Sequence, residues 1–247
     1  MNKGGKISRV KAILINRAIT CASVGGALAS YFWTPPGMIA FVMVIIFRAY
    51  LHFVAGVMAH ESVHGHLGNT RSSNFWWGRL AILPTTVPYV TFRKTHLHHH
   101  SSTNIPELDP DEFLNTRYSW QIPFRALALP YHWVHWMRRT GRFTRSDKME
   151  YALNYLVVAV VYGSIAWFAG WQRVLIGLGA SAALHSFLLW YAFAIKTHEG
   201  YSTGATETRS HNFESGWLYW FSLGLSKHRI HHMEPRLAWL QMPWKTL

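Results

Sequence analysis

Histidine dominates the chemistry that this sequence could perform. The chain has 16 histidines in 247 residues, and eight of them recur at helical spacing in three short clusters. The clusters are HESVH (His60 and His64), HLHHH (His96, His99 and His100) and HRIHH (His228, His231 and His232). Imidazole is a common ligand for zinc, copper, iron and nickel. Because eight imidazoles exceed the three or four protein ligands of one tetrahedral zinc site, the count predicts two metal ions.

The spacing within each cluster is helical. Positions i and i+4, or i, i+3 and i+4, project from one side of an α-helix, so each cluster can present its imidazoles in one direction. One such pair arises easily by chance, but three in one chain do not. A metal store or a membrane scaffold would instead place its histidines in loops without helical spacing.

The first cluster also permits a different reaction class. HESVH fits the HExxH pattern of zinc proteases, in which His60 and His64 bind zinc and Glu61 is the general base. A membrane zinc metalloprotease is therefore an alternative hypothesis. It gives no role to the six histidines of the other two clusters.

Apolar segments have to position these clusters. Only 14% of the residues are charged, against about 25% in typical soluble domains, and 15% are aromatic. The single cysteine, Cys21, excludes a disulfide scaffold and a four-cysteine iron–sulfur site. Four segments are candidates to cross the hydrocarbon layer, at about residues 18–33, 38–59, 152–171 and 174–195.

Two shorter segments with prolines, Leu80–Phe92 and Ile122–Trp136, are expected to lie at the membrane interface. The predicted fold class is thus an all-α integral membrane protein with about four transmembrane helices, interfacial helices and a cytoplasmic histidine-rich metal site. We see no internal repeat, linker or low-complexity run, so we expect one membrane-embedded domain over residues 1–247.

The basic residues predict the orientation of these spans. Lysine and arginine are concentrated in the N-terminal segment (about residues 1–17), between the second and third spans, and after the fourth, whereas the loops on the other side hold only Arg173. The positive-inside rule then places both termini and all three clusters in the cytoplasm, so the net charge of +13 does not indicate nucleic-acid binding. An alternative for the N-terminus is a signal peptide cleaved after Ala27-Leu28-Ala29, which would keep the central segment cytoplasmic.

The three boxes together resemble those of the integral-membrane fatty acid desaturase superfamily, which includes lipid hydroxylases and carotenoid ketolases. The similarity extends to KTHLHHHSSTNIPELDPDEF and FSLGLSKHRIHHMEPRLAWLQMP, and covers about Met38 to Pro243. Carried over position by position, it implies that all eight clustered histidines are metal ligands. It also implies a ninth ligand before the third box. His198 is preferred because it directly follows a span, and His211 is the alternative.

Other polar residues near the boxes receive lesser roles. Glu61 and Asp109 are candidates to orient ligand imidazoles through hydrogen bonds. The histidines outside the family's ligand positions are expected to be packing, supporting or interfacial residues: His52, His66, His98, His132, His135 and His185.

The resemblance implies two iron ions, O2 as co-substrate and oxidation of a C–H bond in a long-chain lipid. Because no cysteine cluster or dinucleotide fingerprint is present, an external electron donor is expected. The resemblance implies that this donor is a ferredoxin or a small cytochrome with its reductase. A fatty acyl desaturase or hydroxylase is favoured. A carotenoid ketolase or hydroxylase is the alternative, since the chain is short and His211-Asn212 precedes the third box. The expected location is multi-pass in a bacterial inner membrane.

Overall fold

The computed structural model describes residues 7–198 and 210–243. Over these residues the chain is helical and contains no strand, which confirms the predicted all-α class. The helices are α1 (Arg9–Ala29), α2 (Met38–Val63), α3 (Arg71–Ile82), α4 (Tyr89–Ser102), α5 (Ile122–Arg139), α6 (Arg145–Ala169), α7 (Trp171–Ser186), α8 (Lys196–His198), α9 (Gly216–Phe221) and α10 (His228–Met233).

Four helical stretches are long and apolar enough to cross a membrane, as the sequence predicts. They are α1, α2, α6 and the stretch Trp171–His198, in which a π-helical segment, Phe187–Ile195, joins α7 to α8. The chain is therefore a membrane protein.

The first and third of these helices begin earlier than their apolar segments because polar residues cap them. The Ser8 hydroxyl accepts a hydrogen bond from the Lys11 amide at the start of α1. Thr144 and Asp147 form a capping box at the start of α6. Such caps satisfy amide groups that have no partner within the helix, so a helix can begin in polar sequence outside an apolar window.

The second span, α2, is the centre of the bundle and leads into the first histidine box. It packs against α1, α3 and α7. From Phe53 to Val63 every residue is buried, whereas Met38, Ile39 and Phe47 near its start are exposed apolar residues. One end of α2 is thus enclosed by protein while the other end presents an apolar surface suited to lipid.

A buried cation lies halfway along α2. The Arg48 guanidinium donates to the Ser30 hydroxyl at 2.8 Å and to the Ser30 carbonyl at 3.1 Å, and it lies 3.8 Å from the centroid of the Tyr31 ring. Ser30 is the C-cap of α1, where carbonyl groups without helical partners favour a positive charge. Arg48 therefore ties α2 to the end of α1.

The two proline-containing segments differ from each other. Leu80–Phe92 is divided between α3 and α4, because a 3-10 turn containing Pro84 follows α3 and Pro88 directly precedes α4. Ile122–Trp136 is one amphipathic helix, α5, which accommodates Pro130. These elements lie between the spans in sequence, and α4 carries the second histidine box.

Candidate metal centre

The structure brings all nine predicted ligand histidines together in two neighbouring groups that are able to bind metal. Within each group, one potential ligand atom from every residue lies within 4.8 Å of the others. The first group is His60, His64, His96, His100 and His231, and the second group is His99, His198, His228 and His232.

The second and third boxes each contribute to both groups. His96 and His100, one helical turn apart, face the first group, while His99 faces the second. In the third box the arrangement is reversed, because His228 and His232 face the second group and His231 faces the first. Residues i and i+4 of a helix point in nearly the same direction and i+3 points to one side, which accounts for this division.

The Nε2 atoms of the first group converge closely. The distances are 3.0 Å from His64 to His96, 3.1 Å from His96 to His100 and 3.0 Å from His100 to His231. His60 completes the group, and within the described part of the chain neither of its buried ring nitrogens has a hydrogen-bond partner. A buried imidazole of this kind is suited to a metal ion.

The second group has similar spacing. The Nε2 atom of His228 lies 2.9 Å from that of His198 and 3.1 Å from that of His232. The rings of His100 and His232 stack with centroids 4.3 Å apart, so the two groups adjoin. Ligand atoms about 2.1 Å from one metal ion and at right angles around it would be about 3.0 Å apart, so the nine imidazoles fit two ions.

Asp109 fixes the orientation of His99. Its carboxylate lies 2.9 Å from His99 Nδ1 and accepts hydrogen bonds from the backbone amides of Asn104 and Asp111. Burial alone would lower the pKa of His99, but the carboxylates of Asp109 and Asp111 outweigh it and raise that pKa to about 9. With Nδ1 bonded to Asp109, Nε2 is the nitrogen of His99 left for a metal ion.

The other imidazoles outside the spans are poised to be neutral ligands. Burial, together with the neighbouring imidazoles, holds the pKa of His96, His100 and His231 well below the usual range. The pKa values of His228 and His232 are lowered for the same reasons. Only a neutral imidazole can donate its lone pair to a metal, so these residues can bind metal at neutral pH.

The third box depends on a cap that the sequence analysis did not identify. The Asn212 side-chain oxygen accepts hydrogen bonds from the amides of Arg229 and Ile230, at 3.1 and 3.3 Å, in the first turn of α10. Lys227, fully buried beside His228, pairs with Glu214. An ordinary N-cap residue directly precedes its helix, whereas Asn212 lies 16 residues before His228, so the local sequence carried no signal for this cap.

Glu61, a candidate to orient a ligand imidazole, makes no hydrogen bond to His60 in the described part of the chain. Its Oε2 atom accepts a hydrogen bond from the Trp239 amide at 3.2 Å, whereas Oε1 lies 4.0 Å from His60 Nδ1. Glu61 is buried and joins α2 to the segment after α10. Its position one residue after a ligand reflects a packing role.

The remaining histidines lie outside both groups. The backbone amide of His211 donates to the Thr197 carbonyl, and the His211 ring contacts Phe213. His52 and His185 are buried together between α2 and α7, with ring centroids 6.1 Å apart. The others contact protein elsewhere or are exposed: His66, His98, His132 and His135.

An apolar cavity adjoins both imidazole groups. Its apolar lining consists of Gly56, Phe92, Phe193 and Leu225, and histidines of both groups form part of the wall. The Asp111 carboxylate also reaches this cavity and accepts a hydrogen bond from the Trp133 indole at 2.8 Å. At about 40 Å³ the cavity is small, and it places apolar side chains beside the potential metal ligands.

Comparison with known proteins gives consistent results. The family model described as fatty acid desaturase matches residues 31–244. The omega-3 fatty acid desaturase fat-1 of Caenorhabditis elegans is 26% identical over 106 residues, which are 40% of this chain and 26% of that protein. The chloroplastic omega-6 fatty acid desaturase of Glycine max is 22% identical over 209 residues, which are 73% of this chain and 49% of that protein. The chain thus spans about half or less of the length of these curated relatives.

Proposed function

The chain belongs to the fatty acid desaturase family, and from this premise we propose that it is an oxygen-dependent di-iron oxidoreductase acting on a long-chain lipid. The favoured reaction is desaturation, or hydroxylation, of a fatty acyl chain. The observation that carries the proposal is the convergence of nine imidazoles from three boxes and His198 into two adjoining groups.

The donor set and the family support iron as the metal. The two groups hold five and four imidazoles, and five exceed the four ligands of a tetrahedral zinc ion. When bound, two iron ions would supply the O2-dependent oxidation of an unactivated C–H bond.

The protein's own contribution is to position the lipid and exclude water. Phe92, Phe193 and Leu225 give the hydrocarbon chain an apolar wall, and Gly56 leaves space against α2. Holding one segment of the chain beside the imidazole groups selects the carbon that reacts. Apolar walls also keep water away from the site.

Electrons have to come from a partner. Desaturation takes two hydrogen atoms from the lipid, and the reduction of one O2 to two waters takes two further electrons and two protons. We propose a ferredoxin or a small cytochrome with its reductase as the donor. The excess of lysine and arginine suits an acidic partner, because complementary charge speeds encounter.

We also propose that the chain is multi-pass, with both termini and the imidazole groups in the cytoplasm. Asn16 and Arg17 of α1 donate to the carbonyls of His66 and Leu67 just after α2, so the N-terminal half of α1 lies at the end of the bundle that carries the first box. Reporter fusions test this. A cytoplasmic reporter joined after residue 247 should be active, and one inserted in the loop at Pro35–Pro36 should be inactive, while the reverse pattern contradicts the orientation.

The geometry does not favour the alternatives. In a zinc protease Glu61 would face the metal-bound water, yet it is bonded to the Trp239 amide. Asn212 of the His211-Asn212 pair caps α10, which is a structural role that does not distinguish a ketolase. The carotenoid ketolase or hydroxylase therefore has no specific support from the site.

Metal analysis of the detergent-purified full chain, grown with ample iron, tests the chemistry. About two irons per chain are expected.

Expression in hosts with and without carotene, followed by lipid and pigment analysis, then identifies the substrate. New unsaturated or hydroxylated acyl chains are expected in both hosts. One zinc per chain without iron would contradict the di-iron assignment, and altered carotenoids alone would contradict the acyl substrate.

A further inference from the structure

A basic cavity of about 290 Å³ lies beside the first imidazole group and is separate from the apolar cavity. The loop between α2 and α3 forms much of its wall, together with the starts of α1 and α3 and one residue of α4. Its wall includes Arg9, Arg71, Arg93 and His64. His64 belongs both to this wall and to the first imidazole group.

Among the described residues, the charged side chains that line this cavity are all positive. Three arginines, Arg9, Arg71 and Arg93, line it, and no aspartate or glutamate is among the described residues that line it. Over residues 7–198 and 210–243, none of the three arginines forms an ion pair. Arg93 is half-buried and lies 6.0 Å from the Phe75 ring, while Arg9 and Arg71 are exposed.

Helix ends add to this positive potential. Arg9 is the first residue of α1 and Arg71 is the first residue of α3, and neither helix has an acidic residue in its first turn. The N-terminal end of a helix carries a partial positive charge, so an arginine there is unfavourable unless an anion is nearby. Arg145 at the start of α6 differs, because Asp147 lies in the same turn.

The wall is held in place by hydrogen bonds. Arg17 of α1 donates to the Leu67 carbonyl at 2.8 Å and to the Ser73 hydroxyl at 3.1 Å. The Leu67 amide donates to the Asn74 side-chain oxygen at 3.0 Å. Because α1, the loop and α3 are tied together, the backbone positions of Arg9 and Arg71 are fixed relative to each other before any ligand arrives.

We propose that this cavity binds a phosphate group. Guanidinium groups bind phosphate oxygens through paired, charge-assisted hydrogen bonds, and the start of a helix adds favourable amide dipoles. The phosphate comes either from a lipid headgroup or from a soluble molecule. The cavity lies where α1 begins and α2 ends, at the level expected for lipid headgroups. Since His64 is shared, the bound phosphate adjoins the imidazole groups.

Titration of the detergent-purified full chain with inorganic phosphate, at constant ionic strength set with chloride, tests the proposal. Binding is measured calorimetrically and by the shift of the unfolding temperature. The double variant Arg71→Gln/Arg93→Gln should weaken binding by about tenfold or more, the loss expected when charge-assisted bonds are removed. Arg145→Gln is the matched control, because it removes a helix-starting arginine outside the cavity and should leave binding unchanged.

A second probe separates the two sources of phosphate. Nanodiscs of phosphatidylcholine with or without phosphatidic acid replace the detergent, and the unfolding temperature is measured again. Binding of inorganic phosphate, lost in the double variant, supports a soluble ligand. Stabilisation by phosphatidic acid alone, lost in the double variant, supports a lipid headgroup. If neither probe distinguishes the wild type from the double variant, the proposal is wrong.

The single variants Arg9→Gln and Arg71→Gln keep the test valid should the double variant fail to fold. Both side chains are exposed, so neither substitution removes a core contact. Each should weaken binding, and the unfolding temperature without phosphate should stay the same or rise slightly, because each substitution removes a positive charge from the start of a helix. Wild-type affinity in both single variants would overturn the proposal.

Discussion

His231 in α10 and His100 in α4 hold their Nε2 atoms 3.0 Å apart, although 131 residues separate them in sequence. The first imidazole group therefore forms only when α2, α4 and α10 are docked together. Metal ligands supplied by distant parts of a chain couple metal binding to folding. Metal binding by the histidine boxes would thus stabilise the packing of these three helices as well as form a candidate reaction centre.

Replacing a box histidine should abolish both metal binding in its group and activity. His60→Ala or His231→Ala removes one of the five imidazoles of the first group, so we expect less than the wild-type iron content and no lipid product. Metal analysis and product analysis on the same preparation measure both effects. His185→Ala is the control, because His185 lies outside both groups and should leave activity mostly intact. Full activity in His231→Ala would refute the ligand assignment.

Asp109→Asn tests whether a carboxylate positions His99. Loss of an outer hydrogen-bond partner typically weakens metal binding by about 10- to 100-fold, and here the second group should be affected. Competition with a chelator, followed stepwise by metal analysis, measures this effect. Glu107→Gln is the control, since Glu107 is exposed and contacts neither group. Equal metal retention in wild type and Asp109→Asn would remove the positioning role.

Chemical type and helical spacing were enough to identify the eight clustered histidines as candidate metal ligands. His96, His99 and His100 are recognisable because several metal-binding side chains repeat at the spacing of a helix. The choice between His198 and His211 depended on the path of the chain after the last span. The π-helical segment Phe187–Ile195 carries His198 into the second group, and nothing in the local sequence predicts that segment.

Three other features could not be predicted from the sequence, for physical reasons. Apolar windows miss polar caps, so the true starts of α1 and α6 at Arg9 and Arg145 were not predicted. Proximity in sequence suggested that Glu61 supports a ligand, but tertiary packing turns it toward the Trp239 amide. The basic cavity could not be predicted, because Arg9, Arg71 and Arg93 belong to three different helices.

Filling the apolar cavity should impair turnover without loss of metal. Leu225→Trp places a larger side chain in the wall beside the imidazole groups, so the lipid is displaced from the reacting position. A displacement of about 1 Å can cost about 100-fold in rate, and we expect a decrease of that order in kcat/KM. Leu218→Trp, outside the cavity lining, is the control. Unchanged turnover in Leu225→Trp, with normal iron content, would show that the lipid lies elsewhere.

Substitutions at two glycines of α7 test whether the buried Arg48 holds the bundle together. A Cβ atom at Gly177 would lie 2.2 Å from Arg48 Nη1 and 3.1 Å from Tyr31, whereas a Cβ atom at Gly179 would have no neighbour within 4 Å. Arg48 is 3% exposed and bonded to Ser30, so it cannot move aside without breaking those bonds.

Gly177→Ala should therefore destabilise the protein by about 1–3 kcal/mol, the usual cost of overpacking. Gly179→Ala should be neutral or stabilise it by up to about 1 kcal/mol, because alanine favours a helix. Unfolding of the two variants in the same detergent measures the difference, and metal content should be unchanged in both, since α7 carries no group histidine. Equal stability of the two variants would mean that Arg48 is free to move and does not fasten α2 to α1.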